Sequence, residues 1–324
     1  MFASLPQVCL KALAVQLPEK IIHFADTSYA GVDAEKKAKL TSVIGFGTRH
    51  VTTSETTLDL CEAAVRKLDA EVLQADALVF VTQTPDYLQP GNACVLHGRL
   101  HMQASCYCVD VSAGCNGYVQ GLFTAHQLLQ LEHVKSVLLC VGDTISKTVN
   151  PADSTVAPVF GDGGSASWLT KDTNANAYFS FGTDGTKYNK LFIENGGYRN
   201  PDVHPHTLHM DGMEVMQMAL QRVPDAIRNL LDEADVSMNQ VDYFLFHQAN
   251  NFIVESLAKN LGVPLEKVPL VFSQFGNQSS ASIPFAMAYG IPAQDKQRLL
   301  LSGFGVGFAW AHALLQTNDL KIYR

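Results

Sequence analysis

Three side chains in this chain could do acyl chemistry together: the thiol of Cys115, the imidazole of His247 and the carboxamide of Asn277. Cys115 stands between an apolar run, Cys106 to Val111, and an amphipathic one, Asn116 to Leu131, so it falls where a strand turns into a helix. The first helical N–H groups lack internal partners and the helix dipole favours negative charge, which predicts a thiol more readily ionised than usual. A buried inert cysteine is the competing reading, since a free thiol often serves as a small core hydrophobe. His247 follows the strand pattern Val241 to Phe246 and precedes a helical stretch carrying Phe252, Ile253, Leu257 and Leu261. Asn277 lies in Phe-Gly-Asn-Gln-Ser-Ser-Ala-Ser-Ile-Pro, whose Gly276 and small polar residues predict a strand-to-helix turn. A nucleophilic thiol with an imidazole and an amide that donate to a developing oxyanion suits acyl transfer through a covalent thioester.

Elements that would position these residues are visible around them. Leu58, Cys61, Val65 and Leu68 recur at helical spacing, predicting a helix over Glu55 to Leu68 capped by Thr53 or Ser54. Asp211 and Glu214 have the spacing of a capping box ahead of the stripe Val215, Met218, Ala219 and Val223, with Pro224 expected to break or kink that helix. The unit Gln74-Ala-Asp-Ala-Leu-Val-Phe-Val-Thr-Gln-Thr has a counterpart half a chain later in Gln240-Val-Asp-Tyr-Phe-Leu-Phe-His-Gln-Ala-Asn. The offset between Cys115 and Asn277 is nearly the same. An internal duplication is therefore predicted, with two α/β halves, 1–170 and 171–324, whose sheets are covered by helices. A site assembled from turns of both halves would lie between them.

Composition bounds the function. A chain of 324 residues, 47% hydrophobic and 17% charged, can bury a large core. A net charge of −8 without a Lys/Arg-rich stripe argues against nucleic acid. Seven cysteines without paired spacing predict free thiols in a reducing compartment, and the N-terminal residues, interrupted by Pro6, Lys11 and Pro18, do not resemble a signal peptide. We therefore expect a cytoplasmic protein. Leu299 to Leu315 is apolar but carries three glycines, Ser302 and His312, which predicts two buried strands around a turn rather than a membrane span. The charge run Asp33 to Leu40 predicts a solvated face. His204, His206 and His209 cluster without the spacing of a closed zinc site, and they fit a surface loop, Tyr198 to His209, better than a metal centre.

Taken together, Ser-Ala-Gly-Cys115-Asn-Gly, Phe-His247-Gln-Ala-Asn, Gly-Asn277-Gln-Ser-Ser-Ala-Ser-Ile-Pro and Ser302-Gly-Phe-Gly-Val-Gly-Phe-Ala-Trp310 resemble the 3-oxoacyl-[acyl-carrier-protein] synthase III family in order and spacing. Phe160-Gly-Asp-Gly-Gly-Ser-Ala and Met210-Asp-Gly-Met-Glu-Val add to the likeness, which runs from about residue 43 to the C-terminus. The resemblance implies a thiolase-like fold of five layers, α-β-α-β-α, and a homodimer that needs no metal or other cofactor. It implies Cys115 as acyl acceptor, His247 and Asn277 as ligands of the extender's carbonyl oxygen, and an oxyanion hole from the backbone N–H groups of Cys115 and Gly307. Met210 and its neighbourhood would approach the acyl and pantetheine tunnel. The implied reaction loads an acyl group from acyl-coenzyme A or acyl carrier protein onto Cys115, then condenses it decarboxylatively with malonyl-acyl carrier protein.

Some positions depart from the family. Lys39 and Val43 stand where family members hold a tryptophan and an arginine against the coenzyme A nucleotide. Gln217, Phe252 and Lys259 occupy the carrier-docking positions, leaving one positive charge for an acidic carrier protein. Gln89 takes the place of the side chain that closes the partner subunit's acyl pocket. These departures point to a specialised fatty-acid or polyketide pathway with a donor other than a simple acetyl group. A non-decarboxylating acyltransferase to a hydroxyl or amine, and a support subunit of a paralogous synthase, are the alternatives. Thiolase chemistry is disfavoured because no cysteine follows Cys140.

Overall fold

The computed structural model describes residues 1–201, 207–292 and 296–324, so His204 and His206 lie outside the described residues. The strands of the first half are β1 (Phe2–Gln16), the hairpin β2 (Lys20–His23) and β3 (Thr48–Val51), β4 (Ala77–Val81), β5 (Tyr107–Val111), β6 (Ser136–Asp143) and the long β7 (Gly163–Thr183). A small ribbon follows, β8 (Leu191–Ile193) with β9 (Leu208–Met210), and then β10 (Tyr243–Phe246), β11 (Lys296–Gly305), β12 (Ala309–Asn318) and β13 (Lys321–Tyr323). The helices are α1 (Ala34–Lys39), α2 (Thr57–Val65), α3 (Asn92–Arg99), α4 (Gly117–Leu129), α5 (Gly212–Glu233), α6 (Asn251–Leu261), α7 (Phe272–Phe275) and α8 (Ser282–Gly290).

Strand order is β10-β11-β12-β7-β6-β4-β5, with β1 beside β7 and β13 beside β1. Each half repeats one pattern. β4 pairs parallel with β6, which pairs antiparallel with β7; β10 pairs parallel with β11, which pairs antiparallel with β12. Gly163 to Thr170 of β7 pairs with β6, whereas Ala177 to Thr183 pairs with β12. The change of partner falls between Thr170 and Ala177. β1 follows β7 through both sheets, Val8–Gln16 along the first part and Phe2–Pro6 along the second.

Three apolar cores separate five layers. One lies between α2 and α3 and the outer face of the first sheet, with Leu58, Cys61, Leu78, Phe80, Leu96 and Leu138. The central one joins both inner sheet faces through α4 and α8, with Val79, Leu122, Leu139, Phe285, Leu299 and Leu301. The third sits under α5 and α6, with Val223, Ile227, Leu257, Leu300 and Phe304. Their environments explain the helix sequences. α8 is buried from Ser282 to Ala288 and is apolar all round, as a helix between two sheets must be. α5 covers one sheet and is amphipathic, with a buried stripe from Val215 through Met218, Val223, Ile227 and Leu230.

Several local expectations are corrected. α2 is capped by Thr56, whose side chain accepts from the Asp59 N–H while the Asp59 carboxylate accepts from the Thr56 N–H, so it begins at Thr57 rather than at Glu55. The Asp211 cap forms as expected, accepting from the Glu214 N–H, but α5 continues through Pro224 to Glu233. One lost backbone bond costs about 3 kcal/mol, and the apolar stripe on both sides of the proline offsets it. Leu299 to Leu315 forms the antiparallel pair β11 and β12, and among the described residues no helix is long and apolar enough to cross a membrane. All seven cysteines are free thiols.

Candidate active site

Cys115 ends the turn after β5. Its helix, α4, starts with the Gly117 N–H bonded to the Gly114 carbonyl at 2.6 Å, and the N-cap Asn116 makes no side-chain cap. His247 follows β10, and its N–H donates to the Ser302 carbonyl of β11 at 2.7 Å. Asn250 caps the next helix by accepting from Ile253, which fixes the loop that carries His247. Asn277 was expected at the end of a strand, yet the preceding residues form α7 and a left-handed Gly276 at φ +72°. An isolated parallel bridge to Phe160 holds it instead: the Asn277 N–H donates to Val159 O at 2.9 Å, and Gly161 N–H donates to Asn277 O at 3.0 Å. The Phe160-Gly-Asp-Gly segment thus positions the carboxamide.

All three side chains line one cavity of about 340 Å³ and are nearly closed off, at 6%, 2% and 5% exposure for Cys115, His247 and Asn277. Its walls are mostly apolar: Val32, Leu40 and Ile44 from the α1 region, Leu191, Leu208 and Met210 from the β8/β9 ribbon, and Val215 and Ile253 from α5 and α6. A mostly apolar cavity lined by a thiol suits an acyl or thioester arm more than a compact polar substrate.

The electrostatics correct one expectation. Burial pushes the Cys115 thiol up to about 11, and the nearby Asp143 charge adds to the rise. The neighbouring donors, the Val306 N–H first and then the Ser279 hydroxyl and Cys115's own N–H, oppose it. Desolvation of the thiolate outweighs the helix terminus here. Burial likewise holds His247 near 3, so its ring is neutral at pH 7. Nδ1 lies 2.6 Å from Ser282 Oγ, which leaves Nε2 for a ligand, and the ring meets Phe304 edge-on. Asn277 Oδ1 accepts from the Ser279 N–H at 2.9 Å, so its Nδ2 is the donor left for the cavity. An uncharged imidazole and an amide can donate to an oxyanion without neutralising a carboxylate elsewhere.

The remaining expected residues are placed differently from one another. Met210 is in the cavity wall. Gly307 faces a separate cleft with Ser112, Asn116 and Thr183, and the backbone N–H that reaches the thiol is that of Val306. The turn after β11 brings Gly305 against Cys115, where an added methyl would lie 2.7 Å from Sγ. Phe252, Gln217 and Lys259 are exposed on α5 and α6, outside the cavity wall. Gln89 is exposed beside exposed Tyr87 and Leu88. Sequence reading missed Gln83, Lys36, Ser279, Ser282 and Val306. Lys36 and Leu40 belong to the charge run read as solvated, and α1 does expose most of its surface while lending these two side chains to the cavity. Gln83 carried a usable signal, since it stands just beyond the carboxyl end of a buried parallel strand, where α/β folds gather ligand-binding groups.

Two family models match the chain: 3-oxoacyl-[acyl-carrier-protein (ACP)] synthase III over residues 109–185, and the synthase III C-terminal model over residues 231–317. A β-ketoacyl-[acyl-carrier-protein] synthase III of Rhodopirellula baltica is 32% identical, with 93% of this chain and 95% of that protein covered. The crystal structure of a 3-oxoacyl-(acyl-carrier protein) synthase from Burkholderia xenovorans superposes with a TM-score of 0.93 at 33% identity, covering 100% of this chain and 98% of that one. A synthase III structure from Pseudomonas aeruginosa gives a TM-score of 0.85 at 28% identity, covering 98% and 100%. The fold is thus that of the thiolase-like condensing enzymes. Within that class, the chain belongs to the 3-oxoacyl-[acyl-carrier-protein] synthase III family, and it is an acyltransferase of that type.

Proposed function

We propose that this enzyme loads an acyl group onto Cys115 and condenses it with a malonyl-type thioester held by His247 and Asn277. The observation that carries this reading is the meeting of these three side chains in the lining of one mostly apolar cavity. In the first step the Cys115 sulfur attacks the donor carbonyl, the new carbon–sulfur bond forms, and the donor's thiol leaves with the proton. The N–H groups of Cys115 and Val306 face the oxygen that becomes negative. In the second step the malonyl thioester loses carbon dioxide. The resulting enolate oxygen is stabilised by donation from His247 Nε2 and Asn277 Nδ2, and its carbon attacks the acyl-enzyme; the carbon–sulfur bond breaks and Cys115 leaves as a thiolate that takes up a proton from water. No base is required to remove a proton from carbon, which suits an imidazole that burial keeps neutral.

The extender arrives on an acyl carrier protein, and the exposed Lys259 and Phe252 are the surface for it. A second copy of the chain packs on the β5 edge, where Tyr87, Leu88 and Tyr107 are exposed and where Gln89 would reach the partner's acyl pocket. With Lys39 and Val43 also exposed, the donor differs from acetyl-coenzyme A. Intact-protein mass after incubation with a panel of acyl-coenzyme A and acyl-carrier thioesters tests the first step. One increment lost in Cys115→Ala is expected. Carbon dioxide release from malonyl-carrier by the loaded enzyme tests the second, and a loaded enzyme that releases none would overturn condensation.

A further inference from the structure

Two cavities meet at the turn that carries Cys115. Gln83 and Val306 line both the mostly apolar cavity that holds the thiol and a second cleft of about 350 Å³. Cys115 lines the first, whereas its two chain neighbours, Gly114 and Asn116, line the second together with Ser112 and Gln120. An added methyl at Gly114 would lie 2.5 Å from Gln83 Oε1 and 2.5 Å from Val306 Cγ1, so the bare backbone beside the nucleophile is what admits these two side chains. A donor thioester extends from its carbonyl in two directions, as the arm that delivers it and as the acyl chain. The apolar cavity suits the arm, and the second cleft is the space beside the nucleophile that remains for the acyl chain.

The second cleft has its own chemistry. Asn116 is only 3% exposed, yet among the described residues its carboxamide has no hydrogen-bond partner and does not cap α4. Its amide atoms are not sealed off, so the little exposure that the residue keeps includes the group facing the cleft. A carboxamide withdrawn from bulk water without a partner is costly, and a ligand that bonds to it recovers that cost. Gln83 Nε2 donates to Ser279 Oγ at 2.7 Å, which leaves Oε1, the atom over Gly114, as an acceptor. A hydroxyl satisfies both groups, because it accepts from an amide N–H and gives its own proton to an amide oxygen. A ketone could serve only the donor, and an alkyl group neither. Consecutive Cα atoms are about 3.8 Å apart, so Asn116 meets an acyl chain on Cys115 near its carbonyl rather than at its far end.

We propose that the second cleft binds the acyl chain and selects one that bears a hydroxyl close to the thioester carbonyl, with Asn116 donating to that oxygen and Gln83 Oε1 accepting from it. The inference rests on Cys115 being the acyl acceptor. The test is acyl loading of the full chain, read by intact-protein mass, with 2-hydroxybutyryl, 3-hydroxybutyryl, 3-oxobutyryl and butyryl thioesters of coenzyme A and of N-acetylcysteamine. One of the hydroxy probes should load about tenfold faster than butyryl, the worth of a hydrogen bond to a buried group otherwise left unpaired. In Asn116→Leu, which keeps the volume but not the amide, that ratio should fall to about one. Asn116→Ala carries the test if the leucine variant does not fold. Butyryl loading as fast as both hydroxy probes in wild type, or an unchanged ratio in the Asn116 variants, would overturn the proposal. So would a preference for 3-oxobutyryl over both hydroxy probes, since that group only accepts. Loading without discrimination sinks only the role of the cleft, whereas a chain that loads no thioester at all sinks Cys115 as acyl acceptor.

Discussion

Substituting Gly305 by alanine would press directly on the nucleophile. The new methyl would lie 2.7 Å from Cys115 Sγ and 2.8 Å from its Cβ, while comfortable contact needs roughly 3.5 to 4 Å. The thiol must then retreat by about 1 Å, or the turn after β11 must open. Gly305 also sits at φ +152°, ψ −119°, a conformation that costs a residue with a Cβ about 1–3 kcal/mol. Adding overpacking of about 1–3 kcal/mol, we expect a stability loss of about 2–6 kcal/mol, or roughly 3 to 9 °C in Tm. A displacement of about 1 Å at a reacting atom lowers the acyl-loading rate by about 100-fold. Gly307→Ala is the control. Its methyl would meet nothing within 4 Å, so only the backbone at φ +77° resists, costing about 1–2 kcal/mol. Loading rates by quenched-flow mass spectrometry and Tm by calorimetry read both variants. A Gly305→Ala enzyme that loads at the wild-type rate, or a Gly307→Ala enzyme equally impaired, would refute the placement of Gly305 against the thiol.

Other outcomes follow from the buried polar groups. Ser282→Ala removes the partner of His247 Nδ1 and should slow carbon dioxide release about tenfold or more while leaving Cys115 loading near normal; equal loss in both steps would contradict it. Burial holds His126 near 4 and both His247 and His312 near 3, so the folded chain refuses protons that the unfolded chain accepts below about 6.5. Their stabilising contribution is complete above that pH and declines as the pH falls, by about 3–4 kcal/mol for the three at pH 5.5. Asp143 and Asp162, raised by burial, act with the opposite sign closer to the carboxylate range. Tm measured from pH 7.5 to 5.5 should therefore drop, and a flat profile would show that these rings are not buried neutral.

The sequence was most readable where one local signal and one tertiary role coincide. His247 follows a strand and precedes a helix in both readings, and the repeated polar-Asp-strand units correspond to the matched pairs β4/β6 and β10/β11. Asn277 shows the limit. Its turn signals were visible, but the bridge to Phe160 that holds it joins segments far apart in the chain, and no local pattern records that pairing. The ionisation of Cys115 failed for a related reason. A helix start is a local feature, while the burial that overrides it comes from a distant strand, β11, whose Gly303 and Gly305 pack against Cys115.

The pairing of β1 bears on how the chain reaches this structure. Its partners are β7, which ends at Thr183, and β13, which aligns Lys321 to Tyr323 with Ala12 to Ala14. β1 therefore cannot complete its hydrogen bonds until Lys321 to Tyr323 have been made. Contacts this distant in sequence make folding slow, and an apolar strand waiting unpaired is open to association with other chains. Val8 to Val15, the most buried stretch of that strand, is the segment for which early capture by a chaperone would matter most during synthesis.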